Sequence, residues 1–405
     1  MNKYFNIKDK IYDITEKYPE TIDVFVSAGF DQFCDENMRK TIGKTISMEM
    51  ACRSKKINVE LFEEKLVESI KQTRISEDKT LVDRQVEENA DVRIEGILPC
   101  PVKLPLFEGF EKWLEEEKLP FRLDYDLKVA SGGVDWIKDK IETLEDESEL
   151  ADIFLSAGFD LFFDKHLIGK YKERDVFKDF TPEKINSDFD NEYISLKDPK
   201  GQYGMIGVVP AVFLVNKEEI GDREYPKTWK DLFKAEFEGE VSLPVGDFDL
   251  FNAILLNVYK NYGEDGLRSL GKSFMRNMHP SEMVKSYRKK DKPTITIMPY
   301  FFTKMITGKG PMVPIWPEDG AIISPIFLLS KADKEEKVKP LVDFFASKEV
   351  GEILSNNGKF PSTNPQVDNE LSEDQKFMWL GWDYINNNDI GSLITKCEKL
   401  FNEAI

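Results

Sequence analysis

A continuous apolar run with a proline inside it restricts the fold of this chain more than any other feature. Val208 to Val215 (VVPAVFLV) is rich in β-branched residues and is bounded by turn formers, which predicts a buried strand. Pro210 lies within the run, and proline cannot donate a hydrogen bond to a strand ladder. We therefore expect this strand to be an edge, to contain a bulge, or to cross between two lobes.

The residues that follow the run extend the pattern. Asn216 to Glu224 is polar and predicts a turn, and Thr228 is a suitable N-cap for a short helix over Trp229 to Phe233. The stretch Gly204 to Phe233 resembles the crossover of type II solute-binding proteins of ABC transporters, in which a hinge strand ending in Asn-Lys leads to P-K-T-W-x-D-L. The resemblance implies an α/β fold with the two lobes of a type II periplasmic binding protein.

Alternating strand and helix patterns begin at residue 92. Predicted strands cover Val92–Leu98, Leu123–Ala130 and Ala151–Ser156, and predicted helices cover Leu106–Glu117 and Trp136–Leu144. That order predicts βαβ units with a parallel sheet. The segments VASGG (129–133) and ADIFLSAG (151–158) also resemble the first lobe of iron-type binding proteins, and PEDGAIISP (317–325) resembles their returning hinge strand, here Ala321–Leu329.

The first 70 residues predict a small all-α unit. Ile7, Ile11 and Ile14 fall at helical spacing, and Phe25 belongs to the buried stripe of a second helix. With Tyr18-Pro19, Gly29-Phe30 and Met38-Arg39, they resemble a small domain of unknown function that precedes cytosolic redox and iron–sulfur repair proteins. Many members carry a cysteine pair after Gly-Phe. This chain has Cys34 alone, which we interpret as a buried or bystander thiol.

These patterns predict five segments. They are a small helical domain (1–71), a linker (72–91), a first lobe (92–203), a second lobe with hinges (204–324), and a return to the first lobe with C-terminal helices (325–405). One sequence occurs twice, as VFVSAGFDQFCD (24–35) and IFLSAGFDLFFD (153–164). We interpret this likeness as coincidence and expect a helix before the first Gly-Phe and a strand before the second.

Composition narrows the partners and the compartment. The formal charge is −19, which argues against nucleic acid and anionic membranes because their phosphates need clustered Lys and Arg. The first 20 residues lack the apolar region of a secretory signal, and no window is apolar enough to span a bilayer. Four dispersed cysteines without a C-x-x-C pair fit reduced thiols. We therefore expect a cytoplasmic protein without membrane insertion.

A ligand of an open α/β sheet binds at the carboxyl ends of the strands. On that rule and the resemblance, the candidate ligand-binding residues are Cys100, Pro101, Ser131, Gly132, Gly133, Ser156, Ala157, Gly158, Asp247, Phe248, Asp249, His279, Ser281, Pro299 and Tyr300.

Several of these residues permit two interpretations. Gly132 and Gly133 could let backbone N–H groups approach an anion, or simply turn the chain. Cys100, between two prolines, could contact a ligand or soft metal, or be an inert loop thiol. Asp247 and Asp249 bracket a predicted helix start, where one of them caps the helix or both face the cleft and favour a cation, an amine or a hydroxyl group.

Few side chains in the sequence are candidates to coordinate a metal ion. Iron-binding relatives often use adjacent tyrosines, whereas this chain has Tyr300 followed by two phenylalanines, which argues against direct ferric coordination. His166 and His279 are the only histidines, and neither has a partner at metal-ligand spacing. We leave metal binding open and expect no cofactor.

The leading hypothesis is a cytoplasmic binding protein that closes over a small molecule or ion for sensing or delivery, with residues 1–70 available to dock a protein partner. One alternative is an enzyme on the same fold that uses Cys100 or His279, which we rank lower because the chain lacks P-loop, G-x-S-x-G and H-E-x-x-H motifs. Another is a scaffold with a vestigial cleft.

Overall fold

The computed structural model of the 405-residue chain describes residues 4–18, 21–28, 30–35, 38–55, 57, 59, 62–63, 66–67, 70, 89–99, 101–129, 134–144, 146–245, 249–278, 280–288, 291–306 and 310–405. The chain divides into two units, residues 1–86 and residues 87–405. Most of the predicted linker (72–91) lies outside the described residues.

The N-terminal unit is helical. Its described elements are α1 (Ile11–Lys17), α2 (Thr21–Ser27), a 3₁₀ turn (Asp31–Cys34), a π turn (Arg39–Gly43) and α3 (Met48–Ser54). Aromatic rings fill its core. The Phe25 ring centroid lies 5.2 Å from that of Phe62 and 6.0 Å from that of Phe30. Ile11 and Ile14 are buried in α1, as their spacing predicts, whereas Ile7 lies in a turn before α1 and is only partly buried.

The duplicated sequence takes two different structures. Its first copy begins inside helix α2, whereas its second copy begins with a strand (Ile153–Ala157). The expected difference is confirmed. The neighbours of each copy, not its own residues, decide its secondary structure.

The described residues of the larger unit form ten strands: β1 (Val92–Leu98), β2 (Leu123–Val129), β3 (Ile153–Ala157), β4 (Gly204–Asn216), β5 (Val241–Leu243), β6 (Phe274–Asn277), β7 (Ile295–Pro299), β8 (Met312–Ile315), β9 (Ala321–Ser330) and β10 (Phe377–Met378). Its α-helices are α4 (Lys103–Glu117), α5 (Asp135–Thr143), α6 (Phe159–Phe163), α7 (Lys217–Ile220), α8 (Leu250–Ser273), α9 (Pro280–Met283), α10 (Glu335–Phe345), α11 (Lys348–Glu352), α12 (Trp382–Asn387) and α13 (Ile390–Asn402).

The strands are hydrogen-bonded in the order β2-β1-β3-β9-β4-β7-β5-β6, with β10 beside β9 and β8 beside β4. β2, β1 and β3 are parallel, as the βαβ pattern predicts, and β5 is parallel to β6 and β7. β9 is antiparallel to β3 and β4, and β4 is antiparallel to β7. We call β1 to β3 with α4 to α6 the first lobe, and β5 to β7 with α8 the second lobe.

Strand β4 joins the two lobes at the proline inside the apolar run. Residues up to Pro210 pair with β9, whereas Ala211 to Val215 pair with β7. A register shift also occurs between Met205 and Gly207. Pro210 therefore stands where the strand changes partners, so of the three alternatives that its missing N–H allows, the structure shows the crossing.

Trp229 contacts β4 and the residue that precedes β9 at this crossing. Its ring packs edge-on against Phe213 of β4 at 5.0 Å between centroids, and its indole Nε1–H donates to the Gly320 carbonyl before β9 at 3.0 Å. The short helix Trp229–Phe233 is 3₁₀. Its start is fixed by Asp231, whose Oδ2 accepts hydrogen bonds from the Thr228 N–H and hydroxyl, each at 2.9 Å. The P-K-T-W-x-D-L motif is therefore an anchor for the two central strands.

Among the described residues, none of the helices combines the length and apolar character needed to cross a bilayer.

Candidate functional site

The candidate site is at the carboxyl ends of β1, β3, β5 and β7, where an open α/β sheet binds its ligand. Of the predicted site residues, Cys100, Ser131, Gly132, Gly133, Asp247, Phe248 and His279 lie outside the described residues, and only the backbone of Ser281, in α9, is described. The described members are Pro101, Ser156, Ala157, Gly158, Asp249, Pro299 and Tyr300.

In the first lobe, the predicted residues follow β1 and β3. Pro101 is exposed just before α4. Ser156 is buried, and its hydroxyl donates to the Ala157 carbonyl at 2.7 Å, so its side chain is committed to the backbone. Gly158 has φ 145°, a backbone angle that L side chains rarely adopt, and this lets the chain turn directly from β3 into α6.

In the second lobe, Asp249 stands at the N-cap position of α8, but its side chain makes no hydrogen bond to that helix's backbone. The expected capping role is therefore wrong for the Asp249 carboxylate. It accepts a hydrogen bond from the Phe159 N–H at the start of α6, and another from the Asn252 side-chain amide. Because Phe159 belongs to the first lobe, this carboxylate connects the two sides of the cleft.

The surroundings of Asp249 disfavour its charge. Burial and then the neighbouring Asp160 carboxylate raise the pKa of Asp249 well above its usual range. The hydrogen bonds from Phe159 and Asn252 and the Lys138 ammonium act in the opposite direction without cancelling that shift. Lys138 itself forms an ion pair with Asp160.

The other described corner of the cleft surrounds Tyr300, which follows β7. Its ring packs edge-on against Trp316 at 5.1 Å between centroids, and the Lys359 Nζ lies 4.5 Å above the same ring. Lys359 Nζ also donates to the Tyr300 hydroxyl at 3.3 Å. Lys304, in the 3₁₀ turn Tyr300–Met305, donates to the carbonyls of Asn356 and Asn357 at 2.6 and 2.8 Å.

This corner carries positive charge. Burial lowers the pKa of Lys304 and the nearby Lys359 ammonium lowers it further, while the Glu370 carboxylate acts in the opposite direction without cancelling the shift. Two ammonium groups that repel each other beside a partly buried phenol favour an anionic partner. This is the opposite of the cation or amine that the Asp247–Asp249 pattern favours when its carboxylates face the cleft.

Lys359 comes from a segment that packs on the first lobe. A Cβ on neighbouring Gly358 would lie 2.5 Å from the Cγ1 of Val102, just before α4. Lys359 itself has φ 52°, in the left-handed region. Its contact with Tyr300 therefore also joins the two sides of the cleft.

Sequence reasoning did not find Lys359, Lys304, Trp316, Asn252 or Asp160. Lys359 is 59 residues from Tyr300 along the chain, and Phe159 is 90 residues from Asp249. No local motif marks them. The one local feature near Lys359 is Gly358, because a glycine often marks a sharp turn.

In the part of the chain that the structure describes, no three His, Cys, Asp or Glu side chains are grouped so that they could hold a metal ion.

The crossing strands and the two sets of strand ends define a two-lobed periplasmic binding protein of type II. The family model for bacterial extracellular solute-binding protein matches residues 148–388, more than half of the chain, and the chain belongs to that family. A second model, a domain of unknown function (DUF1858), matches residues 5–62. No curated protein matches the chain.

Solved structures with this fold include ferric-binding proteins. The ferric binding protein from Campylobacter jejuni is 16% identical with a TM-score of 0.56, and the match covers 78% of this chain and 99% of that one. Apo ferric ion-binding protein A from Pasteurella haemolytica is 13% identical with a TM-score of 0.54, covering 77% and 97%. An ABC transporter structure from Clostridium perfringens is 14% identical with a TM-score of 0.55, covering 78% and 99%. At these identities the likeness shows the fold alone.

Proposed function

We propose that this chain is a cytoplasmic binding protein that closes over a small anionic ligand, and that it senses or delivers that ligand. The observation that carries the proposal is the corner formed by Tyr300, Lys359 and Lys304 at the meeting of the two lobes. Tyr300 and Lys304 belong to one segment and Lys359 to another, and any opening of the lobes would separate these two segments. A ligand held by both sides would therefore favour the closed form.

The chemistry of this corner favours a carboxylate, a phosphate or an anionic metal complex. Lys359 and the Tyr300 hydroxyl both supply donors to an oxygen, and the Trp316 ring supplies an apolar wall. Similar structures are named for ferric ion binding. Among the described residues at this corner, Tyr300 is the one phenol that could coordinate a metal ion. We therefore favour a metal only as part of a complex with an anion.

A thermal-shift screen tests the proposal. The probes are inorganic phosphate, citrate and ferric citrate, because they span the three chemistries. A probe present at 100 times its Kd stabilises the protein by about 2.7 kcal/mol. Lys359→Gln should abolish the shift. Lys339→Gln, an exposed lysine paired with Asp343 on α10, should retain it.

Two results would contradict this function. One is the absence of any shift with all three probes at millimolar concentration, which would favour a scaffold with a vestigial cleft. The other is a shift that Lys359→Gln leaves unchanged, which would place the ligand elsewhere.

The compartment and the N-terminal unit complete the proposal. Cys52 and Cys397 are buried free thiols, which supports a reducing compartment. Fractionation of the source cells tests the cytoplasmic location, and recovery of the protein outside the cytoplasm would overturn it.

We further propose that residues 1–70 dock a protein partner. A photo-crosslinker in place of Met50, which is 56% exposed, should capture that partner in cells, and the absence of any adduct would count against it.

A further inference from the structure

Asp249 makes a hydrogen bond that crosses the cleft without any ligand. It precedes α8 of the second lobe, and its Oδ2 accepts the N–H of Phe159, the first residue of α6 in the first lobe. Rotation that separates the strand ends lengthens this bond. Because a hydrogen bond weakens steeply with distance and misalignment, a small rotation is enough to break it.

The backbone of Asp249 is held in an unusual conformation at this contact. Its φ of 56° and ψ of 12° lie in the left-handed region, which residues other than glycine, asparagine and aspartate seldom adopt. The Asn252 side-chain amide donates to Oδ1 and fixes the carboxylate from its own helix. The side chain is therefore aimed at Phe159 by its own lobe.

The charges that face Asp249 come from three other elements. The carboxylate of Asp160, in α6, raises the pKa of Asp249, and Lys138 of α5 pairs with Asp160. Glu398 of α13 interacts with both Asp160 and Lys138, and burial followed by Asp160 raises its pKa. The described charged side chains of this group are three carboxylates and one ammonium. The surplus of negative charge favours a proton on Asp249 while the lobes are together.

We propose that Asp249 is a proton-sensitive latch that holds the two lobes together in acid and releases them as the pH rises. The proposal concerns the lobes alone and does not depend on the ligand.

The sign follows from where the proton is held. In the closed form Asp249 keeps its proton to a higher pH, because burial and Asp160 raise its pKa. In the open form water reaches the carboxyl group, and its pKa falls toward about 3.9. Opening therefore releases a proton. Between the two pKa values the ratio of open to closed protein rises by up to about tenfold per pH unit.

Pulsed electron resonance between spin labels on opposite lobes measures this ratio in the full chain. The exposed residues Glu115 and Glu238 provide label positions as Glu115→Cys and Glu238→Cys, in a Cys34→Ser, Cys100→Ser background. We expect the short-distance population to dominate at pH 4.5 and to fall severalfold by pH 8.

Variants of the latch separate protonation from the hydrogen bond. Asp249→Asn keeps an oxygen acceptor for Phe159 N–H, tolerates the left-handed backbone and cannot titrate, so it should stay closed at both pH values. Asp249→Ala should be open at both. Asp343→Asn, an exposed carboxylate on α10, should behave as the parent protein does.

A distance distribution that does not change with pH in the parent protein would overturn the latch, as would an Asp249→Asn protein that responds to pH like the parent. Far-UV circular dichroism establishes that Asp249→Ala is folded. If it is not, the comparison of the parent with Asp249→Asn still decides the question.

Discussion

Replacing Trp229 by phenylalanine tests whether the P-K-T-W-x-D-L motif anchors the crossing strands. Trp229 is fully buried, and its indole N–H is bonded to the Gly320 carbonyl. Phenylalanine cannot make that bond, and a buried acceptor left without a partner costs about 1–3 kcal/mol. The smaller ring also leaves roughly 40 Å³ unfilled, which at ~24 cal/mol per Å³ adds about 1 kcal/mol. We expect a loss of about 3 kcal/mol in the free energy of unfolding.

Urea unfolding followed by tryptophan fluorescence measures this loss in the larger unit, because all six tryptophans lie after residue 87. With a slope near ~3 kcal/mol per molar urea, the midpoint should fall by about 1 M. Trp113→Phe is the matched control. Its ring is only partly buried beside Phe110, so its midpoint should change by less than about 0.3 M. A Trp229→Phe midpoint as close to the parent value as the control would refute the anchoring role.

Three further outcomes follow from the structure. Gly96→Ala places a Cβ 2.2 Å from the Leu155 carbonyl oxygen, between β1 and β3, and should destabilise the protein by at least ~2 kcal/mol. Gly109→Ala, inside α4, should instead stabilise it by about 0.5–1 kcal/mol. The midpoints of urea unfolding compare the two variants. Burial alone would raise the pKa of Asp231, but hydrogen bonds from Lys234, Lys227 and Thr228 hold it at about 2. The charged Asp231 therefore stabilises the protein fully above the unfolded pKa of about 3.9, and this stabilisation is lost as the pH falls toward 2. The unfolding midpoints of Asp231→Asn and the parent should therefore differ at pH 6 and converge at pH 2. Burial raises the pKa of the Cys397 thiol to about 12. In a Cys34→Ser, Cys100→Ser protein, a thiol reagent at pH 8 should therefore label Cys397 only after denaturant is added. Immediate labelling of Cys397 would contradict its burial.

The fold could be predicted because its signals are local. An apolar run with a misplaced proline specifies a strand that changes partners, and Pro210 stands at that change. Alternating strands and helices predict parallel strands, and β1 is parallel to both β2 and β3. Each of these patterns is read from residues that are close together along the chain and depends on backbone chemistry alone.

The chemistry of the cleft could not be predicted in the same way, because it depends on side chains that meet only after folding. Asp249 has the sequence position of a helix cap, yet its carboxylate bonds to Phe159, since the left-handed backbone turns it across the cleft. Lys359 has no motif around it, and its contact with Tyr300 arises because the turn after Gly358 packs beside Val102. Tertiary packing decides such contacts, and local spacing does not encode them.

Ligand capture in the cell is the most direct test of a binding protein. Native mass spectrometry of the full chain, purified from its own cells in volatile buffer, should show the protein with the added mass of a small molecule or ion, released on denaturation. The Lys359→Gln protein should lack that added mass, and the Lys339→Gln protein should keep it. A bare chain in every preparation, or an adduct that Lys359→Gln retains, would contradict a ligand site between the two lobes at Tyr300 and Lys359.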